Sequence, residues 1–104
     1  MKIFVIDFSG KAAFIENFPD GHQIAIEDRD GAAAYKMIGE QLPDKIFINY
    51  GDKPSHGRQT AIAIKKRKAT SAIPIYFVNG SEDENKKADQ IGHCIMASEI
   101  NKCL

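Results

Sequence analysis

Hydrophobic positions in this chain fall into short unbroken runs, each closed by a polar residue. Lys2-Ile3-Phe4-Val5-Ile6-Asp7, Lys45-Ile46-Phe47-Ile48-Asn49 and Pro74-Ile75-Tyr76-Phe77-Val78-Asn79 share this design. β-Branched and aromatic residues without polar interruption predict strands buried on both faces, as in a parallel sheet. His22–Glu27 reads differently: Ile24 and Ile26 alternate with their neighbours, the pattern of an edge strand. A last strand is expected at His93–Ala97.

Between the strands the apolar spacing turns helical. A short helix is predicted over about 10–18, with Ser9 as N-cap, Pro19 as stop, and Phe14 and Phe18 on one inward face. A second spans 31–42, capped by Asp30 and closed before Pro43, with Ala34, Ile38 and Leu42 as its apolar stripe. A loop through Pro54 leads to a third helix ending near Lys68. Ala61-Ile62-Ala63-Ile64 alternates like a strand, but Gln59–Lys68 contains no breaker, and crossovers between parallel strands are usually helical. Ser81-Glu82-Asp83-Glu84 forms a capping box for a fourth helix anchored by Ala88 and Ile91, and a helical stub follows from Ser98.

Five strands alternating with helices in 104 residues predict one α/β domain spanning 1–104. The expected architecture is a doubly wound, five-stranded parallel sheet of flavodoxin-like order 2-1-3-4-5 with a truncated last helix. In such a sheet, ligands and chemistry belong to the crevice at the carboxyl ends of the strands.

Charge narrows the function classes. Fourteen basic and fourteen acidic side chains balance, so no whole-chain field favours nucleic acid or an anionic membrane. No apolar run approaches the roughly 20 residues of a membrane span, and the N-terminal stretch lacks a signal-peptide core. A cytoplasmic location is expected. Cys94 and Cys103 match no zinc spacing and are expected to be reduced thiols; neither a metal nor a cofactor is expected.

Three segments resemble response-regulator receiver domains. Pro43-Asp44-Lys45-Ile46-Phe47-Ile48-Asn49 is similar to the receiver segment that ends in the phosphoacceptor aspartate. Pro54-Ser55-His56-Gly57 is similar to the residues after it, and Ile73-Pro74 through Asn79-Gly80 to the strand ending in Thr or Ser. The resemblance implies a paired-acid Mg²⁺ site after the first strand, a central Asp, a Thr/Ser sensor and a fifth-strand Lys. This chain departs at each. Asp7 matches the first acid, Phe8 stands at the second, Asn49 at the acceptor, Asn79 at the sensor, and Ala97 in the region of the lysine. An amide is a poor nucleophile and cannot form an acyl-phosphate. The expected type is a degenerate pseudo-receiver, similar also to small stand-alone receiver-like proteins of unassigned role.

Several residues carry a second reading. Ser55-His56-Gly57-Arg58 opens the third helix, so its backbone N–H groups and Arg58 can hold an anion, or Ser55 caps, Gly57 eases a turn and Arg58 pairs on the surface. His56 can serve as a base only if Asp7 or Asp52 orients it, and no nucleophile accompanies it. Ser9-Gly10-Lys11 lacks the phosphate-loop spacing. Lys65-Lys66-Arg67-Lys68 reads as a solvated helix end, followed by Thr70 and Ser71 in a kinase-site pattern of low specificity. Glu27-Asp28-Arg29-Asp30 reads as a turn and a cap. Cys94, Ile95 and Met96 would form a thinly covered edge, an expected interaction face for an unidentified protein partner or a homodimer.

The leading expectation is a phosphorylation-independent interaction domain of two-component signalling, without enzymatic activity. The alternative is a small-ligand or phosphate-binding protein, enzymatic or not, using the crevice of Asp7, Asn49, His56, Arg58 and Asn79. A weak nucleic-acid contact through Lys65–Lys68 comes third.

Overall fold

The computed structural model describes residues 1–11 and 14–104. Strands β1 (Lys2–Ile6), β2 (Gln23–Glu27), β3 (Lys45–Asn49), β4 (Ile75–Val78) and β5 (His93–Ile95) form one all-parallel sheet in the order β2-β1-β3-β4-β5. Helices α1 (Gly31–Gln41), α2 (Pro54–Lys66) and α3 (Glu82–Ala88) connect β2 to β3, β3 to β4 and β4 to β5. Two 3₁₀ segments, Ile15–Asn17 and Ala97–Cys103, complete the described elements.

The unbroken runs in β1, β3 and β4 follow from burial on both faces. Phe4, Ile6, Ile46, Ile48 and Phe77 pack beneath α1, α2 and α3 through Ala34, Ile38, Ala61, Ile64 and Ala88. Ile3, Val5, Phe47 and Val78 point the other way, onto Phe14 and Phe18, which flank the first 3₁₀ segment, and onto Ile100 of the second. Full burial of such side chains supplies about 1.5–3 kcal/mol each before entropy is counted.

Asp30 caps α1 as expected, accepting the Ala32 N–H at 2.8 Å. Three expectations are revised. Among the described residues of 10–18 only the 3₁₀ turn forms, and Ser9 is no helix cap; residues 12 and 13 lie outside the described set. Gly10 in a left-handed conformation and Pro19 leave too short a stretch to repay helix nucleation. Leu42 leaves the apolar stripe: it turns left-handed ahead of Pro43 and is 52% exposed. Finally, α2 starts at Pro54, whose fixed φ suits a first helical position, so Ser55–Arg58 lie inside the helix and Lys53 occupies the cap. Gly57 is therefore no turn residue. A Cβ there would meet Ile48 Cγ2 at 3.0 Å, and its absence lets α2 sit close to β3.

Candidate functional site

Two polar groups are buried where β1 and β3 end side by side. Asp7 is fully buried and Asn49 is 7% exposed. The Asp7 Oδ1 accepts the Ser9 backbone N–H at 3.1 Å, the Ser9 hydroxyl at 2.5 Å and the Asn49 side-chain N–H at 2.9 Å. Asn49 is held in this orientation because its Oδ1 accepts the Gly51 N–H at 3.3 Å. A flipped amide would turn oxygen toward the carboxylate and lose both contacts.

Around this pair opens a cleft of about 570 Å³, lined by Phe8, Ser9, Lys11, Lys53 and Asn79 among others. Asn79 is exposed and left-handed, a conformation asparagine tolerates better than most residues. Its N–H donates to the Ile95 carbonyl and its Oδ1 accepts the Ala97 N–H, each at 2.9 Å, so it ties β4 to the chain leaving β5. Phe8 lies edge-on to the His56 ring at 6.2 Å.

The other expected members stand elsewhere. Arg58 turns toward α3, where it pairs with Glu84 and donates to the Tyr50 hydroxyl at 2.8 Å. The His56 and Gly57 N–H groups are both directed at the Lys53 carbonyl, at 3.1 and 3.3 Å, so they are not free for an anion. Thus Asn49 and Asn79 line the cleft, Asp7 is buried and reaches it through its hydrogen bonds from Ser9 and Asn49, and Ser55–Arg58 do not assemble an anion site with them.

Tyr50, one residue beyond Asn49, was not legible in the sequence. Its buried hydroxyl donates to the Glu84 carbonyl at 2.6 Å while accepting from Arg58, which joins β3, α2 and α3. Burial pushes its pKa up, and the hydrogen bond from Arg58 opposes the rise. The same arginine holds the Glu84 carboxyl below its usual range. Half of the expected capping box is therefore present: Ser81 accepts the Glu84 N–H at 3.2 Å, but the Glu84 carboxylate goes to Arg58. A Cβ on Gly80 would stand 2.4 Å from the Tyr50 ring, so only glycine leaves room for it.

The remaining candidates also acquire definite places. Lys65 donates to the Ile73 carbonyl at 2.8 Å and Arg67 lies over the Tyr35 ring at 3.8 Å, which leaves Lys66 and Lys68 as the exposed part of that basic run. Thr70 is fully buried, its hydroxyl donating to the Ile64 carbonyl, so the kinase-site pattern at Thr70 is closed in this fold. Glu27 accepts the Arg29 and Asp30 N–H groups in a tight turn. Cys94 and Ile95 pack onto opposite core faces, and burial raises the Cys94 thiol pKa; Met96 beyond them is 53% exposed.

Among the described residues, no group of three or more His, Cys, Asp or Glu is placed to hold a metal ion. No helix of the described residues is long and apolar enough to cross a membrane.

No family model matches the sequence, and no curated protein matches it. Solved structures do. The N-terminal domain of a response regulator receiver protein from Methanoculleus marisnigri JR1 superposes with a TM-score of 0.67 at 17% identity, covering 91% of this chain and 82% of that one. A response regulator from Hahella chejuensis gives a TM-score of 0.68 at 19% identity, covering 98% and 83%. Strand order and these superpositions together establish that the chain has the flavodoxin-like fold of receiver domains.

Proposed function

We propose that this chain is a phosphorylation-independent pseudo-receiver, a cytoplasmic signalling domain that acts by binding a protein partner and not as an enzyme. The contact between Asn49 and Asp7 carries this reading. An amide at the end of β3 offers no carboxylate to phosphorylate, and its N–H₂ is spent on the neighbouring acid. The site also does not fit Mg²⁺. That ion needs several hard oxygens in octahedral array. Here Asp7 Oδ1 already accepts three donors, Phe8 contributes no oxygen, and the Asn49 carbonyl accepts from Gly51. The absent fifth-strand lysine, with Ala97 and its neighbours in that region, agrees. The partner face we assign is the α3–β5 side, where Met96 is exposed next to a short helix. Incubation with acetyl phosphate and Mg²⁺ followed by intact-mass measurement tests the proposal. An unchanged mass is expected; an acid-labile phosphoryl adduct would refute it.

A second reading rests on the cleft itself, where Lys11 and Lys53 outnumber the single lining carboxylate, Asp52, and stand beside Ser9, Asn49 and Asn79. A small phosphate-bearing ligand would suit that lining. Phosphate would then raise the melting temperature of the wild type but not of Lys53→Ala, whereas Arg58→Ala would keep the effect.

A further inference from the structure

Among the described residues, the outer edge of β2 pairs with no other strand and is the longer of the two sheet edges. Gln23 donates its N–H to the Met1 carbonyl and Glu27 accepts the Asp7 N–H, at 3.1 and 3.0 Å. In a parallel ladder alternate residues aim both backbone groups at the same neighbour. Gln23, Ala25 and Glu27 therefore face β1, and the N–H and C=O groups of Ile24 and Ile26 point outward. Exposed edges are normally protected by proline, lysine or a bulge. This one has none: Gln-Ile-Ala-Ile-Glu pairs with β1 in unbroken register, and the Glu27 carboxylate is folded back on Arg29 and Asp30. Ile26 is 40% exposed on the same face as half-buried Ile24.

We propose that β2 is a homodimerisation edge, on which a second copy of this chain pairs antiparallel about a two-fold axis at Ala25. Self-pairing fits because the segment is nearly palindromic. With Ala25 opposite Ala25, the outward groups of Ile24 meet those of Ile26 twice, forming closed hydrogen-bonded pairs. The two isoleucines of each copy then cover those of the other. Shifting the register by two residues sets Ile26 against His22 or Ile24 against Asp28, so only the centred register buries both isoleucines of each copy. It also places His22 of one copy opposite Asp28 of the other. The opposite edge of the sheet is a poorer template, since β5 has three residues and turns at once into a 3₁₀ helix. This interface is independent of the reading of the strand-end cleft.

Sedimentation equilibrium of the wild type should show a reversible dimer below about 1 mM. Ile26→Lys should weaken association at least about tenfold while keeping the circular-dichroism melt cooperative. Ala25→Cys under oxidising conditions should give a dimer linked at position 25, because facing residues at a non-hydrogen-bonded position lie about 4.5 Å apart, within disulfide range. Peptide mapping separates that link from Cys94 and Cys103. A strictly monomeric wild type overturns the proposal. So does a dimer that survives Ile26→Lys and gives no link at position 25.

Discussion

Asn49 donates its side-chain N–H to the fully buried carboxylate of Asp7 at 2.9 Å. The two residues are 42 positions apart in sequence and meet because β1 and β3 are neighbours in the sheet. This contact gives the buried acid a donor where a second carboxylate would repel it. Asn49→Asp should therefore destabilise the fold by about 1–3 kcal/mol at neutral pH, since a buried donor is lost and like charge is added. Added Mg²⁺ should restore part of that loss in the variant and none in the wild type, read from urea midpoints.

Arg58 and Tyr50 should be energetically coupled. Their 2.8 Å hydrogen bond links α2 to β3, and removing either partner leaves the other in a half-closed site. Arg58→Ala should cost about 1–3 kcal/mol, as for a hydrogen bond to a charged group. In a double-mutant cycle with Tyr50→Phe the two losses should fall short of additivity by about 0.5–2 kcal/mol. Additive losses would show that the arginine contributes only through Glu84.

Alkaline pH should loosen the molecule through the buried tyrosine. Burial raises the Tyr50 pKa above its ordinary value, so the folded state prefers the neutral phenol. For such a group the stabilisation is complete below the unfolded pKa of about 10 and is lost as pH rises through the folded one. Stability measured by urea midpoint should fall above about pH 10, and Tyr50→Phe should flatten that fall. Tyr76, also raised by burial, leaves a residual slope. At the acid end the sign reverses. The lowered pKa of Glu84, caused first by the hydrogen bond from Arg58, gives a contribution present above the ordinary carboxylate pKa and lost as pH falls through the folded one.

Leu42 offers a stabilising change. It terminates α1 at φ 48° with half its surface in water, a conformation that glycine adopts without Cβ strain. Leu42→Gly should raise stability by about 0.5–1 kcal/mol, visible as a higher melting temperature.

The strands and their order were readable because burial on both faces leaves no room for polar residues in β1, β3 or β4. The Asp30 cap was readable because its signal is local. Helical rotation was not. Whether Arg58 points into the strand-end cleft or toward α3 depends on how α2 seats on Ile48 through Gly57, and that packing leaves no local mark. Glu84 sat in a capping-box pattern, yet a charged partner two elements away outcompeted the backbone N–H it was expected to accept. The segment at 10–18 carried helical spacing in Phe14 and Phe18, and both rings are buried as that spacing implied, flanking a 3₁₀ turn in place of a helix. The resemblance located Asn49 and Asp7; the hydrogen bond between them needed coordinates.

The most direct test of the central claim is a backbone-amide NMR titration of the wild type with Mg²⁺ and then acetyl phosphate. With Asp7 and Asn49 satisfying each other, the Ser9, Asn49 and Gly51 amides should show no saturable shift at either step. Saturable shifts confined to those amides would contradict the account and place a working metal and phosphoryl site at the end of β3.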